Sequence, residues 1–172
     1  MLNKKQGSTL AELVVVMAVV GIMSMMVVSF TIIVNSWVTL GTKRYQLVGD
    51  SELLSSVYHS FVSANDSTNY YFEIGETYNE LIVKRKSDGS VKARMVFDSE
   101  EKLLTYDLNG EEAVLRLEQI DNVFFGLFGN EPTKMVYCTV DYTYVTPGKK
   151  IREQQKSYEM VVSLRSATVP TG

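Results

Sequence analysis

The chain is poor in the residues that build reactive centres. Its 172 residues include one cysteine, one histidine, one tryptophan and three prolines. A lone cysteine, Cys138, excludes an intramolecular disulfide. It falls in an alternating strand pattern and is expected to be a small buried hydrophobe. With His59 as the only histidine, side-chain clusters of the kind that hold zinc are missing, and no metal or cofactor is expected. No G-x-S-x-G, P-loop or dinucleotide fingerprint occurs, so the sequence offers no catalytic constellation and is not read as an enzyme. "DSEE" at 98–101 groups acids, but a solvated turn is expected there rather than a calcium loop. Charge of one sign is scarce as well. Seventeen basic and twenty acidic residues give a net charge of −3. No basic block marks a nucleic-acid footprint, and no direct nucleic-acid binding is expected.

What the chain does have is one long apolar run. Leu13–Val34 contains no charged residue. As an α-helix it would rise roughly 33 Å, enough to cross a hydrocarbon core of about 30 Å. The run is apolar on every face, which argues against a buried core helix. A cleaved secretory signal fits poorly, because the run is too long and Asn35-Ser36-Trp37 lacks the small-residue cleavage pattern. Lys4 and Lys5 precede the run while Lys43 and Arg44 follow it, so the positive-inside count is nearly balanced. The nearer pair places the N-terminus in the cytoplasm.

No proline precedes Pro132, so nothing forces a break after the apolar run. Leu40, Leu47, Leu54 and Phe61 recur every seven residues, with Trp37, Val48, Tyr58 and Val62 widening the stripe. This periodicity predicts an amphipathic continuation from Ser36 to about Ala64 that packs on the chain's own sheet rather than in a coiled coil. "SANDSTN" at 63–69 ends the helix with turn formers. From Tyr70 the period changes to two. Val91–Phe97, Val136–Tyr144 and Tyr158–Leu164 alternate apolar with polar residues and predict half-buried antiparallel strands, six to eight in all. "SDGS" at 87–90, "LNGE" at 108–111 and "TPGK" at 146–149 supply turns. "VFFGLFG" at 123–129 is read as a buried strand and turn in preference to an exposed patch meeting another subunit. The fold class is therefore α+β, a long N-terminal helix packed on an antiparallel β-rich head.

The residues "KKQG" at 4–7 and "STLAELVVVMAVVGIM" at 8–23 resemble the N-terminus of the type IV pilin-like family, which includes the pseudopilins of type II secretion and the pilins of competence machines. The match rests on Gly7, Thr9, Leu10, Glu12, Leu13, the Val14–Val20 run and Gly21. The family's mature chain usually begins with an aromatic residue, where this chain has Ser8. Its helix often carries a proline about one-third of the way down, near the position of Ser29 here. The strand-rich stretch after residue 80 is similar, in pattern only, to minor pilins and J-type pseudopilins.

The resemblance implies a leader at residues 1–7, removed between Gly7 and Ser8 by a prepilin peptidase, with N-methylation of the new Ser8 amine. It implies a membrane and assembly helix at 8–35, its amphipathic continuation at 36–64 and a head at 65–172. Removing the leader's two lysines would bring the net charge to −5. Thr9, Leu10 and Glu12 are the implied assembly residues. Taken alone, Glu12 is most simply the start of the span, where the helix dipole favours an acid. The resemblance changes that reading. Cleavage would create an α-ammonium one helical turn away, and in the family this glutamate is thought to pair with a neighbouring subunit's amine. The implied partners are the peptidase, major and minor pilin subunits, an inner-membrane assembly platform and membrane lipid. The implied location is the cytoplasmic membrane, single-pass with the head outside, and then the cell surface. The implied service is adhesion or motility, secretion, or DNA uptake. The competing expectation is an uncleaved single-pass anchor carrying an extracellular binding or sensor domain.

Overall fold

The computed structural model describes residues 4–108, 110–129, 134–146 and 152–165, and the side chains of residues 4–9, Thr146 and Arg152 fall outside that description. One helix, α1 (Lys4–Asn65), precedes eight strands: β1 (Tyr70–Ile74), β2 (Glu80–Arg85), β3 (Val91–Asp98), β4 (Leu103–Leu108), β5 (Glu111–Arg116), β6 (Asn122–Phe128), β7 (Met135–Thr146) and β8 (Arg152–Ser163). The chain divides into two compact units, Met1–Thr42 and Lys43–Gly172. The helix and the strands fall where the change of period from 3.6 to two predicts them.

The described residues of the first unit are helix alone. Among its described residues the apolar side chains face outward on every side. Leu13, Met25 and Phe30 are 59%, 74% and 67% exposed. At 100° per residue these three lie roughly a third of a turn apart, so no single face is reserved for a core. The helix passes Ser29 without interruption.

In the second unit the strands form two sheets rather than one. Sheet A is an antiparallel meander in the order β1-β2-β3-β4-β5, and sheet B a meander in the order β6-β7-β8. The tight turns follow the residues that permit them. Gly89 and Gly110 have φ of 69° and 89°, the left-handed region in which a Cβ is disfavoured. Asp88 accepts hydrogen bonds from the Ser90 amide at 3.0 Å and the Ser90 hydroxyl at 2.8 Å. These bonds hold its carboxyl below the usual carboxylate range. Residues 147–149 of the expected "TPGK" turn, Asn109 of "LNGE" and the tail 168–172 lie outside the described residues.

The C-terminal part of α1 closes the core of this unit. Leu54, Tyr58, Phe61 and Val62 are fully buried, joined by Phe97 of sheet A and Phe125 of sheet B in one cluster. The Tyr58 ring stacks on Phe125 with centroids 6.3 Å apart, and its hydroxyl donates to the Val136 carbonyl at 2.7 Å. The heptad stripe is thus correct at Leu54 and Phe61, while Val48, placed on the same stripe, is 55% exposed. The "VFFGLFG" stretch alternates only as far as Phe125, after which Gly126 is buried and the next two residues are exposed. Val123 and Phe125 point into the core, and Phe124, Leu127 and Phe128 are exposed. Cys138 is fully buried, as expected for a small hydrophobe.

Candidate functional site

The residues singled out for processing and assembly lie together at the start of α1. Gly7, Ser8, Thr9, Leu10 and Glu12 occupy consecutive turns of the helix backbone. The side chain of Thr9 is outside the described residues, as is that of Ser8. Leu10 is 68% exposed and Glu12 is exposed. Among the described residues Glu12 makes no ion pair with a basic group. Glu12 is the fifth residue after Gly7. Removal of residues 1–7 would leave it at the fourth position after a new terminal ammonium, about 6 Å along the helix axis.

The apolar run behind Glu12 is built for a medium that offers no hydrogen bonds. Two of its three hydroxyls, those of Ser24 and Thr31, are turned back onto their own helix. Ser24 donates to the Val20 carbonyl at 2.8 Å and Thr31 to the Val27 carbonyl at 2.9 Å. Just beyond it, Ser36 donates to Ile32 at 2.9 Å. An unpaired hydroxyl in hydrocarbon costs several kcal/mol, so these bonds let polar residues enter a lipid segment. The helix from Leu10 is long and apolar enough to cross a membrane.

Residues 2–28 match the family described as the prokaryotic N-terminal methylation motif. The match contains every residue named for cleavage, methylation and assembly. A methylation motif is consistent with the type IV pilin-like family and supports a pilin-like protein of the kind a prepilin peptidase processes. With the apolar helix it also points to membrane anchoring. No curated protein and no solved structure matches the chain. The motif covers only the helix, and the head has to be read from its own residues.

The described head residues hold no group of three or more metal-ligating side chains. The "DSEE" acids form a turn, with Asp98 accepting from the Glu100 and Glu101 amides at 2.8 and 3.1 Å. His59 is exposed and sets its ring edge-on to Tyr58 at 5.8 Å. Long-range polar clasps escaped the sequence reading. Asp50 on α1 accepts from the Gln119 amide at 2.9 Å, tying the helix to the segment between the sheets. The Lys102 amine donates to the Ile120 and Asp121 carbonyls at 2.9 and 3.2 Å and lies 3.6 Å from the Asp121 carboxylate. Tyr144 lies beneath two cations, Arg44 and Lys156, each 5.0 Å from its ring centroid. No local signal announces these pairings, because their partners lie on different elements and connections of the chain.

Proposed function

We propose that the chain is a minor type IV pilin-like or pseudopilin subunit. Leu13–Val34 holds it in the cytoplasmic membrane with the head outside. A prepilin peptidase cleaves between Gly7 and Ser8, and Ser8 receives the methyl group. The processed chain then enters a pilus or pseudopilus through packing of its N-terminal helix. Its role is structural, without catalysis. One observation carries this reading: the methylation motif at 2–28 opens a helix whose apolar residues are exposed on every side. Such a surface is satisfied first by lipid and then by other helices.

Glu12 supplies the selection step. A charge in lipid costs about 2.5–3.5 kcal/mol at mid-span and less near the interface, so it favours a position where an ammonium meets it. A subunit inserted out of register leaves both charges unpaired, and removing one partner of a buried pair costs about 3–5 kcal/mol.

Incorporation is the test. The full-length chain and its Glu12→Ala variant are expressed with a prepilin peptidase and a pilus or pseudopilus assembly system, and sheared filaments are separated from membranes. Wild type is expected in the filament fraction, and Glu12→Ala is expected in the membrane although cleaved. Wild-type chain that keeps residues 1–7 and stays in the membrane with every system supplied would favour the uncleaved anchored binding or sensor domain instead.

A further inference from the structure

Sheet A ends at β5, which pairs with β4 on one side and with no other described strand. The ladder itself says which residues hold the open side. The Leu117 amide donates to the Lys102 carbonyl at 2.9 Å, one step beyond the Leu103–Arg116 pair. Bonding alternates along an antiparallel pair, so Ala113 and Leu115 also turn their amides and carbonyls towards β4. Glu112, Val114 and Arg116 turn theirs outward, and their side chains share one sheet face, all three exposed. Val114 is 58% exposed. The charges on this edge are poorly matched within the chain. Glu112 lies directly opposite Asp107 of β4, an acid against an acid. The Asp107 carboxylate accepts from the Arg94 amide at 3.0 Å, and among the described residues Glu112 makes no ion pair. Arg116 stands 3.9 Å from Glu118, with both side chains exposed.

We propose that β5 pairs with β5 of a second copy of this chain, antiparallel about a two-fold axis through Val114. Such an axis, perpendicular to the sheet, keeps each face continuous and places residues of the same face opposite each other. With Val114 opposite itself, Glu112 faces the second copy's Arg116, and Arg116 faces its Glu112. The outward backbone groups of these three residues then exchange about six hydrogen bonds. Other symmetric registers do worse. One centred on Glu112 or Arg116 sets like charges face to face, and one centred on Ala113 or Leu115 sets Val114 against a charge. Charged residues on an edge strand commonly keep other strands away. Here their order is self-complementary, so they reject the wrong registers and admit one. Exposed ion pairs are individually weak, so the backbone ladder holds the two strands and the charges set their alignment. The pairing involves the Lys43–Gly172 unit alone and does not depend on leader removal or filament entry.

The test is disulfide trapping of the full-length protein in detergent, with micelles in excess over chains, scored as dimer on non-reducing gels. Cys138 is fully buried, and the wild-type chain supplies the baseline. In the proposed register the two Val114 Cα atoms lie about 5.5 Å apart, within disulfide reach, whereas the two Glu112 Cα atoms lie about 14 Å apart. Val114→Cys is expected to give at least fivefold more dimer than Glu112→Cys. A mixture of Glu112→Cys with a size-tagged Arg116→Cys chain should give the mixed dimer in comparable yield. Adding Glu112→Arg to Val114→Cys opposes two cations and should cut its dimer at least fivefold. Adding Arg116→Glu as well restores the pairs in reverse, and the yield should recover. Equal trapping at Val114 and Glu112 overturns the register. A Val114→Cys dimer that Glu112→Arg leaves undiminished overturns the ionic alignment. Monomer in every variant overturns the proposal and leaves the edge to a strand of a different protein.

Discussion

Glu12 is one carboxylate at the head of an apolar run, and its effect depends on what cleavage places beside it. If the pairing account holds, Glu12→Ala leaves membrane insertion and leader removal intact while filament incorporation falls by at least tenfold, scored by immunoblot of sheared material. Glu12→Asp, which keeps the charge on a shorter arm, should recover part of that loss. Inside the head, Tyr58 makes a prediction of a different kind. Burial raises its phenol well above the ordinary value, with the Cys138 thiolate a second cause, and burial likewise raises the Cys138 thiol. Tyr158 shifts the same way, again chiefly by burial. A folded-state value above the unfolded one means that the unfolded chain releases its proton first. Stability is therefore full below the ordinary thiol and phenol values and falls as pH rises through and beyond about 9–10. Thermal melts should show a falling midpoint over that range. Tyr58→Phe loses the bond to the Val136 carbonyl and should cost about 1 kcal/mol at pH 7, yet it should flatten the alkaline decline. An unchanged pH slope in Tyr58→Phe would contradict this assignment.

At the scale of elements, periodicity located the helix and the strands but not their partners. The seven-residue spacing of Leu54 and Phe61 marked the face of α1 that the core takes up. Val48 fits the same spacing and is left exposed, because a stripe in sequence says nothing of where the sheet ends. Phe61→Ala should therefore cost about 3–5 kcal/mol, and Val48→Ala should lie within about 0.5 kcal/mol, both by denaturant melts of the detergent-solubilised chain. Alternation gave β3, β7 and β8, and Asp88-Gly89 gave the turn between β2 and β3. The division into two sheets was not legible. It depends on the segment Leu117–Asp121, whose Leu117 and Ile120 are buried between elements and whose ties to Asp50 and Lys102 span long stretches of chain. Gly126 is a further instance. Any Cβ there would overlap the ring of Tyr137 on the neighbouring strand, so Gly126→Ala should displace that ring and destabilise sheet B. Sequence shows the glycine and not the ring laid across it.

At the scale of the molecule, the function is written in the first helix and only its setting in the head. The motif at 2–28 was readable because processing and membrane entry are local requirements on consecutive residues. The placement of Arg44 and Lys156 over the Tyr144 ring was not, since the three residues lie on different elements, α1, β8 and β7. The central claim is that this chain is a processed pilin-like subunit, and leader removal tests it most directly. Intact mass spectrometry of the full-length protein, expressed with and without a prepilin peptidase, should show loss of residues 1–7 only when the peptidase is present, with one methyl added to Ser8. An unaltered N-terminus under conditions that cleave a control prepilin would contradict the account and leave a membrane-anchored domain that is never assembled.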